Sequence, residues 1–126
     1  RATELLRELG HGVTELPTEA ANHATELARQ AVQEGADCVL AAGGDGTINE
    51  VANGMVGSDV PLGILPAGTA NVLACEMRLG RGIRDAARKL SGLVPRKIAL
   101  GRLDPTEGVS RYFLLMAGAG FDADVV

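Results

Sequence analysis

The chain has 126 residues, 46% of them hydrophobic and 22% charged, with a net charge of -4. That is the composition of one soluble globular domain; it excludes a disordered chain, and no apolar run reaches the roughly 18 to 20 residues that a membrane span requires. The acidic balance also excludes a broad electrostatic surface for nucleic acid, which needs clustered Lys and Arg.

Taken in order, Leu5, Leu6 and Leu9 share one helical face and Gly10 suits a C-terminal cap, so residues 2 to 10 read as a helix. Val13 to Leu16 is a short strand candidate. Thr18 is placed to cap the next helix, in which Ala24, Leu27, Ala28, Ala31 and Val32 recur at helical spacing until Gly35. Cys38 to Ala42 follows without alternation, as a strand buried on both faces does. Ile48, Val51, Ala52 and Met55 then form an apolar stripe on a helix ending near Gly57, and Leu62 to Leu65 is the next buried strand. Asn71 to Leu79 and the stretch lined by Ile83, Ala86, Ala87 and Leu90 read as two further helices. Arg96 to Asp104 and Arg111 to Ala117 read as strands joined by Pro105-Thr106-Glu107-Gly108, a composition that favours an antiparallel hairpin. Strands alternating with helices up to residue 92 imply parallel pairing with right-handed crossovers, hence an α/β three-layer sandwich with a largely parallel sheet.

The chemistry concentrates where strands give way to helices. Gly43-Gly44-Asp45-Gly46-Thr47-Ile48-Asn49-Glu50 follows the first central strand and opens a helix, which puts bare backbone N–H groups where phosphate binds best. Gly43, Gly44 and Gly46 allow close approach, Asp45 is the carboxylate of the loop, and Thr47 adds a hydroxyl. Asn49 and Glu50 are placed to brace the loop from behind. Taken alone, Asp45 and Thr47 also suit ordinary helix capping. A P-loop would need Gly-Lys-Ser or Gly-Lys-Thr here, and no Lys is near; the dinucleotide fingerprint would need glycine where Asn49 stands. A second loop, Leu65-Pro66-Ala67-Gly68-Thr69-Ala70-Asn71, repeats the order strand, glycine, helix. By itself it reads as a capped Pro-Gly turn. If the two strands are neighbours, both loops open on one crevice.

Together, Gly43 to Val51 and Leu62 to Asn71 resemble the nucleotide-binding domain of the diacylglycerol kinase catalytic family, especially its bacterial lipid-kinase branch, which is akin to NAD kinases. The similarity runs from about Thr18 to Asp122. The resemblance implies ATP-dependent phosphorylation of a lipid hydroxyl, with Mg2+. Carried over by position, Thr18 would contact ATP, Gly43 to Glu50 would form the nucleotide loop with Asp45 as its catalytic and metal-binding acid, and Gly68 and Thr69 would complete the site. Val72 stands where many members have Asp, so that acid has no counterpart here. The family's first strand would precede Arg1, and Gly118 to Ala123 matches its crossing into a lipid-binding domain that carries the general base and further magnesium ligands. Residues 1–117 are therefore expected to be the nucleotide-binding kinase domain without its first strand, residues 118–126 the start of a second domain, and the chain alone inactive.

A sphingosine-type kinase, an NAD kinase and a non-catalytic nucleotide-binding module remain as alternatives. The partners expected are ATP and a lipid at a membrane surface, without nucleic acid; a homodimer is left open. Cys38 and Cys75 show no metal spacing and read as free thiols of a cytoplasmic protein, one that could stand peripherally at the inner membrane. Arg78, Arg81, Arg84, Arg88, Lys89, Arg96 and Lys97 form a basic cluster suited either to anionic lipid or to a solvated face. His11 and His23 read as surface residues.

Overall fold

The computed structural model describes residues 2–67, 78, 82–90 and 92–113. The expected helix over Asn71 to Leu79, the second-loop residues Gly68 and Thr69, Cys75, and the Gly118 to Ala123 crossing lie outside these apart from Arg78.

The first helix, α1 (Ala2–Glu8), buries Leu6 and stops at Gly10, whose φ of 93° is the left-handed conformation that glycine adopts without strain. The His11 N–H reaches the Leu6 carbonyl at 3.1 Å and the Gly10 N–H reaches Arg7 at 3.0 Å, a Schellman motif. Helix α2 (His23–Gln33) ends in the same way at Gly35, with Ala36 bonded to Ala31 and Gly35 to Val32, both at 3.1 Å. Its buried residues, Ala24 and Ala28, belong to the stripe expected from the sequence.

Two sequence expectations fail between these helices. Residues 13 to 16 form no strand: Val13 is half-buried, Leu16 is 40% exposed, and the Val13 carbonyl accepts from the Arg7 guanidinium at 3.2 Å in place of a ladder partner. Thr18 caps nothing, because α2 starts five residues later, and its N-cap is Asn22 in a left-handed conformation with φ 64°. The His23 ring accepts the Glu19 N–H at 3.0 Å, so this half-buried histidine anchors the turn that Thr18 was expected to start.

Strand β1 (Val39–Gly43) pairs in parallel with β2 (Leu62–Pro66), and helix α3 (Asp45–Met55) runs between them in sequence. This is a βαβ unit, as the alternating pattern requires. The register sets Leu40 opposite Gly63, Ala41 opposite Ile64 and Gly43 opposite Pro66. Four consecutive residues of β2, Gly63 to Pro66, are buried, so both of its faces are covered. In β1, by contrast, only Ala41 is fully buried and Ala42 is exposed, which corrects the expectation of a strand covered on both faces throughout. Cys38 is not in the strand but one residue ahead of it, and it is exposed. Desolvation of its thiol pushes the pKa up, against a smaller lowering by the Gly63 backbone.

Helix α4 (Ile83–Leu90) packs on β2 and α1 through Ala86 and Ala87, which are completely buried. Glycine at position 63 suits this packing: a Cβ would press on the methyl end of Leu40 and stand 3.2 Å from that of Leu90. On α3 the buried residues are Ile48, Val51, Ala52 and Met55, the apolar stripe read from the sequence. Ile48 is the largest wholly buried side chain.

Helices α2 and α3 approach so closely that a Cβ at Gly54 would fall on the Thr25 carbonyl oxygen. At the same crossing the Thr25 hydroxyl donates to the Glu50 carbonyl at 2.8 Å. The hairpin is antiparallel, as expected: β3 (Gly101–Leu103) pairs with β4 (Arg111–Phe113), residues 93 to 100 form no strand, and residues 114 to 117 of the expected second strand lie outside the described residues. The Phe113 ring occupies the space over Gly101, its register partner. Where the chain turns, Asp104 accepts from Ser110 and from Arg102, bonds that hold its carboxyl below the usual carboxylate range.

The α2–α3 crossing gives a direct test. Gly54→Ala should destabilise the protein by about 1–3 kcal/mol, because the backbone oxygen of Thr25 has to move to admit the methyl. Thermal or denaturant unfolding measures the loss, and an unchanged midpoint would show that the helices are not held this close.

Candidate functional site

A single residue, Gly44, separates the end of β1 from the start of α3. As N-cap it is extended, with φ -86° and ψ -175°, and having no side chain it makes no capping bond. Its carbonyl accepts the first helical bond, from the Ile48 N–H at 3.1 Å. Asp45, Gly46 and Thr47 therefore make up the first turn of α3, where the helix dipole favours negative charge.

The turn is tight enough to dictate its own residues. A Cβ added at Gly43 would stand 2.9 Å from both Cβ and Oγ1 of Thr47, so glycine is needed for the strand end and the helix to pack. At Gly46 a Cβ would meet nothing of the described residues within 4 Å. Among the described residues nothing makes a steric demand for glycine there. Asp45 and Thr47 are half-buried while Gly46 is exposed.

The second loop leaves from the neighbouring strand. Gly43 and Pro66 are register partners, and the Ala67 N–H donates to the Gly43 carbonyl at 3.0 Å, carrying the ladder one residue beyond β2. The two loops thus start side by side at the carboxyl ends of parallel strands, where open α/β sheets bind their ligands. The structure brings Gly43, Gly44, Asp45, Gly46 and Thr47 together. Asn49 and Glu50 follow in the next turn, and their carbonyls accept from Asn53 Nδ2 and Thr25 Oγ1, both at 2.8 Å. Thr18 is on the exposed segment between α1 and α2.

The sequence reasoning missed Asn53. Its carboxamide spans two elements: Nδ2 donates to the Tyr112 carbonyl at 2.7 Å, and Oδ1 accepts the Tyr112 N–H at 2.8 Å. No local signal marks this role, because the two residues are far apart in the chain. Among the described residues no group of three His, Cys, Asp or Glu side chains is placed to hold a metal by itself.

Comparison with known proteins places this arrangement. Residues 1–103 match the diacylglycerol kinase catalytic domain, and the chain belongs to that family. It is 35% identical over 119 residues to a diacylglycerol kinase of Mycobacterium tuberculosis, covering 94% of this chain and 38% of the relative. It is 36% identical over 116 residues to a diacylglycerol kinase of Bacillus subtilis, covering 90% of this chain and 37% of the relative. A solved structure of a candidate diacylglycerol kinase from Bacillus anthracis superposes with a TM-score of 0.56 at 29% identity, over 61% of this chain and 27% of that one. The fold is accordingly the α/β fold with a parallel sheet expected for kinases of this kind, and the chain spans less than two-fifths of the length of these curated relatives. Among the described residues, no helix is long and apolar enough to cross a membrane.

Gly43→Ala should cost about 1–3 kcal/mol of stability by forcing Thr47 and the first turn of α3 away from β1. Denaturant unfolding measures it, and Thr47→Ser should not relieve the cost, since serine retains both of the atoms that clash.

Proposed function

We propose that this chain supplies the ATP-binding half of a lipid kinase, an enzyme that transfers the γ-phosphoryl group of ATP to a lipid hydroxyl such as that of diacylglycerol. The observation that carries the reading is the pairing of the two loops, with Gly43 opposite Pro66 and the Ala67 N–H on the Gly43 carbonyl. The relatives' names support kinase chemistry.

In this reading the phosphates lie over Gly43, Gly44 and Gly46 and take hydrogen bonds from the first turn of α3. Thr47 lines the same turn, and Gly68, Thr69 and Thr18 extend the nucleotide site by their match to the family pattern. No described residue lies within 4 Å of a Cβ built at Gly46, which fits such an approach. Residues 39 to 67 contain no Lys or Arg, so no side-chain cation of this unit offsets the triphosphate. That composition fits a magnesium ion, which binds through one or two carboxylates together with substrate phosphates. Asp45 is the carboxylate that would hold it, and the ion would neutralise charge on the transferred group.

The balance of the reaction is simple. The lipid oxygen bonds to the γ-phosphorus, the bond from that phosphorus to the bridging oxygen breaks, ADP leaves, and the hydroxyl proton passes to a base. Catalysis of this kind rests on positioning and charge stabilisation. The base, the acceptor site and further acids would come from protein beyond the described residues, so the chain alone would be inactive. Residues 1–117 would form the nucleotide-binding domain and 118–126 the start of the next; the bonds from Asn53 to Tyr112 support grouping the hairpin with the former.

Two substitutions separate binding from folding. Gly46→Ala should leave stability unchanged or raise it by up to about 1 kcal/mol, since alanine suits a helix better, yet weaken ATP binding by blocking backbone approach. Calorimetry of ATP binding beside an unfolding curve reads both, and unaltered affinity would remove Gly46 from the phosphate site. Asp45→Asn in the full-length enzyme should abolish phosphate transfer while the protein stays folded. The assay offers diacylglycerol, sphingosine and NAD as acceptors; saturable ATP binding without transfer to any of them would instead favour a nucleotide sensor.

A further inference from the structure

Helix α3 does more than present the phosphate loop. Its far end is joined to β4 by the carboxamide of Asn53, which satisfies both the N–H and the C=O of Tyr112 at 2.8 and 2.7 Å. This is the pattern by which one strand residue pairs with another, made here by a side chain. The same Nδ2 also donates to the Asn49 carbonyl at 2.8 Å, one turn back, which fixes the rotamer that points the amide at β4. Asn53 is half-buried, and an amide whose three bonds all have good length is among the more rigid ways to join two elements. Arg111 adds a longer contact of 3.5 Å to Asn22 at the start of α2.

The helix that carries the clamp is itself held. Its first turn is packed against β1 by the Gly43–Thr47 contact, and its middle is pinned to α2 by Thr25 and by the absence of a side chain at Gly54. A displacement of β4 relative to α3 is therefore a displacement relative to the phosphate loop. Beyond Phe113 the chain continues toward residues 114–126.

We propose that Asn53 is a positioning residue for phosphoryl transfer. By locking β4 to α3 it sets where the protein that follows the hairpin stands relative to the bound nucleotide. The inference rests on the lipid-kinase reading and deepens it: Asn53 touches neither ATP nor acceptor, but fixes the distance between the parts that do.

The experiment is steady-state kinetics of the full-length protein with ATP and diacylglycerol vesicles, together with hydrogen exchange. Asn53→Ala should leave the KM for ATP within about twofold while kcat, or kcat/KM for the lipid, falls by between about tenfold and a hundredfold, as misplacement of reacting groups does. The Tyr112 amide should lose exchange protection while amides in the middle of α3 keep theirs. Asn53→Asp has the same shape and retains the bond from the Tyr112 N–H, but sets a carboxylate against the Tyr112 carbonyl; it should show the same kinetic split, and it decides the matter if the alanine variant does not fold. An ATP KM that rises in step with the loss of kcat, or kinetics equal to wild type, overturns the inference alone. Wild-type protein that transfers phosphate to no lipid overturns the parent reading and this inference with it.

Discussion

The rest of the structure depends on how abruptly β1 becomes α3. With one residue between strand and helix, the first turn of α3 stands directly over the end of the sheet, and Thr47 fills the space that a Cβ at Gly43 would need. A longer connection would have left room for side chains and would have moved the helix N-terminus away from the neighbouring loop. The short one forces glycine at position 43. It also leaves the N-cap without a side chain, so that no capping group competes with a ligand at that position.

Glycine serves two opposed purposes along α3, and the geometry separates them. At 43 and 54 the missing Cβ is used by the protein itself, for Thr47 and for the Thr25 carbonyl. At 46 nothing among the described residues lies within 4 Å in the vacant direction. A helix interior is a costly place for glycine, by roughly 0.5–1 kcal/mol relative to alanine, and only at 54 does packing in the interior of α3 account for it. The proposed approach of phosphate to the backbone would account for the first-turn glycine at 46.

What could be read from the chain was what periodicity carries. The stripe Ile48, Val51, Ala52 and Met55 appears as the buried face of α3, and the run from Leu62 appears as a strand whose residues are buried in succession. Gly10 and Gly35 end helices because their left-handed conformations are local properties that a glycine announces. What failed lacked such a signature. Val13 to Leu16 is too short to show a period, and a strand needs an edge to pair with; the Val13 carbonyl is taken by Arg7. Thr18 is an acceptable cap by residue type, whereas the cap is Asn22, one of the few residues other than glycine to tolerate the left-handed turn that precedes α2. The glycine-rich turn between β1 and α3 was legible because its residues are contiguous. Asn53 was not, because its partner lies across the whole of β2, α4 and β3.

Three contacts that hold α3 are neutral: the buried Ile48, the hydroxyl of Thr25 on a carbonyl, and the amide of Asn53 on a peptide unit. The ion pairs Arg7–Glu15, Arg29–Glu26 and Arg102–Asp104 join exposed side chains elsewhere, where such pairs add little and weaken with salt. Were a phosphate chain received at this turn, as proposed, these neutral bonds would not change geometry when its charge arrives or leaves. A charged brace would be drawn toward the ligand or repelled by it at each turnover.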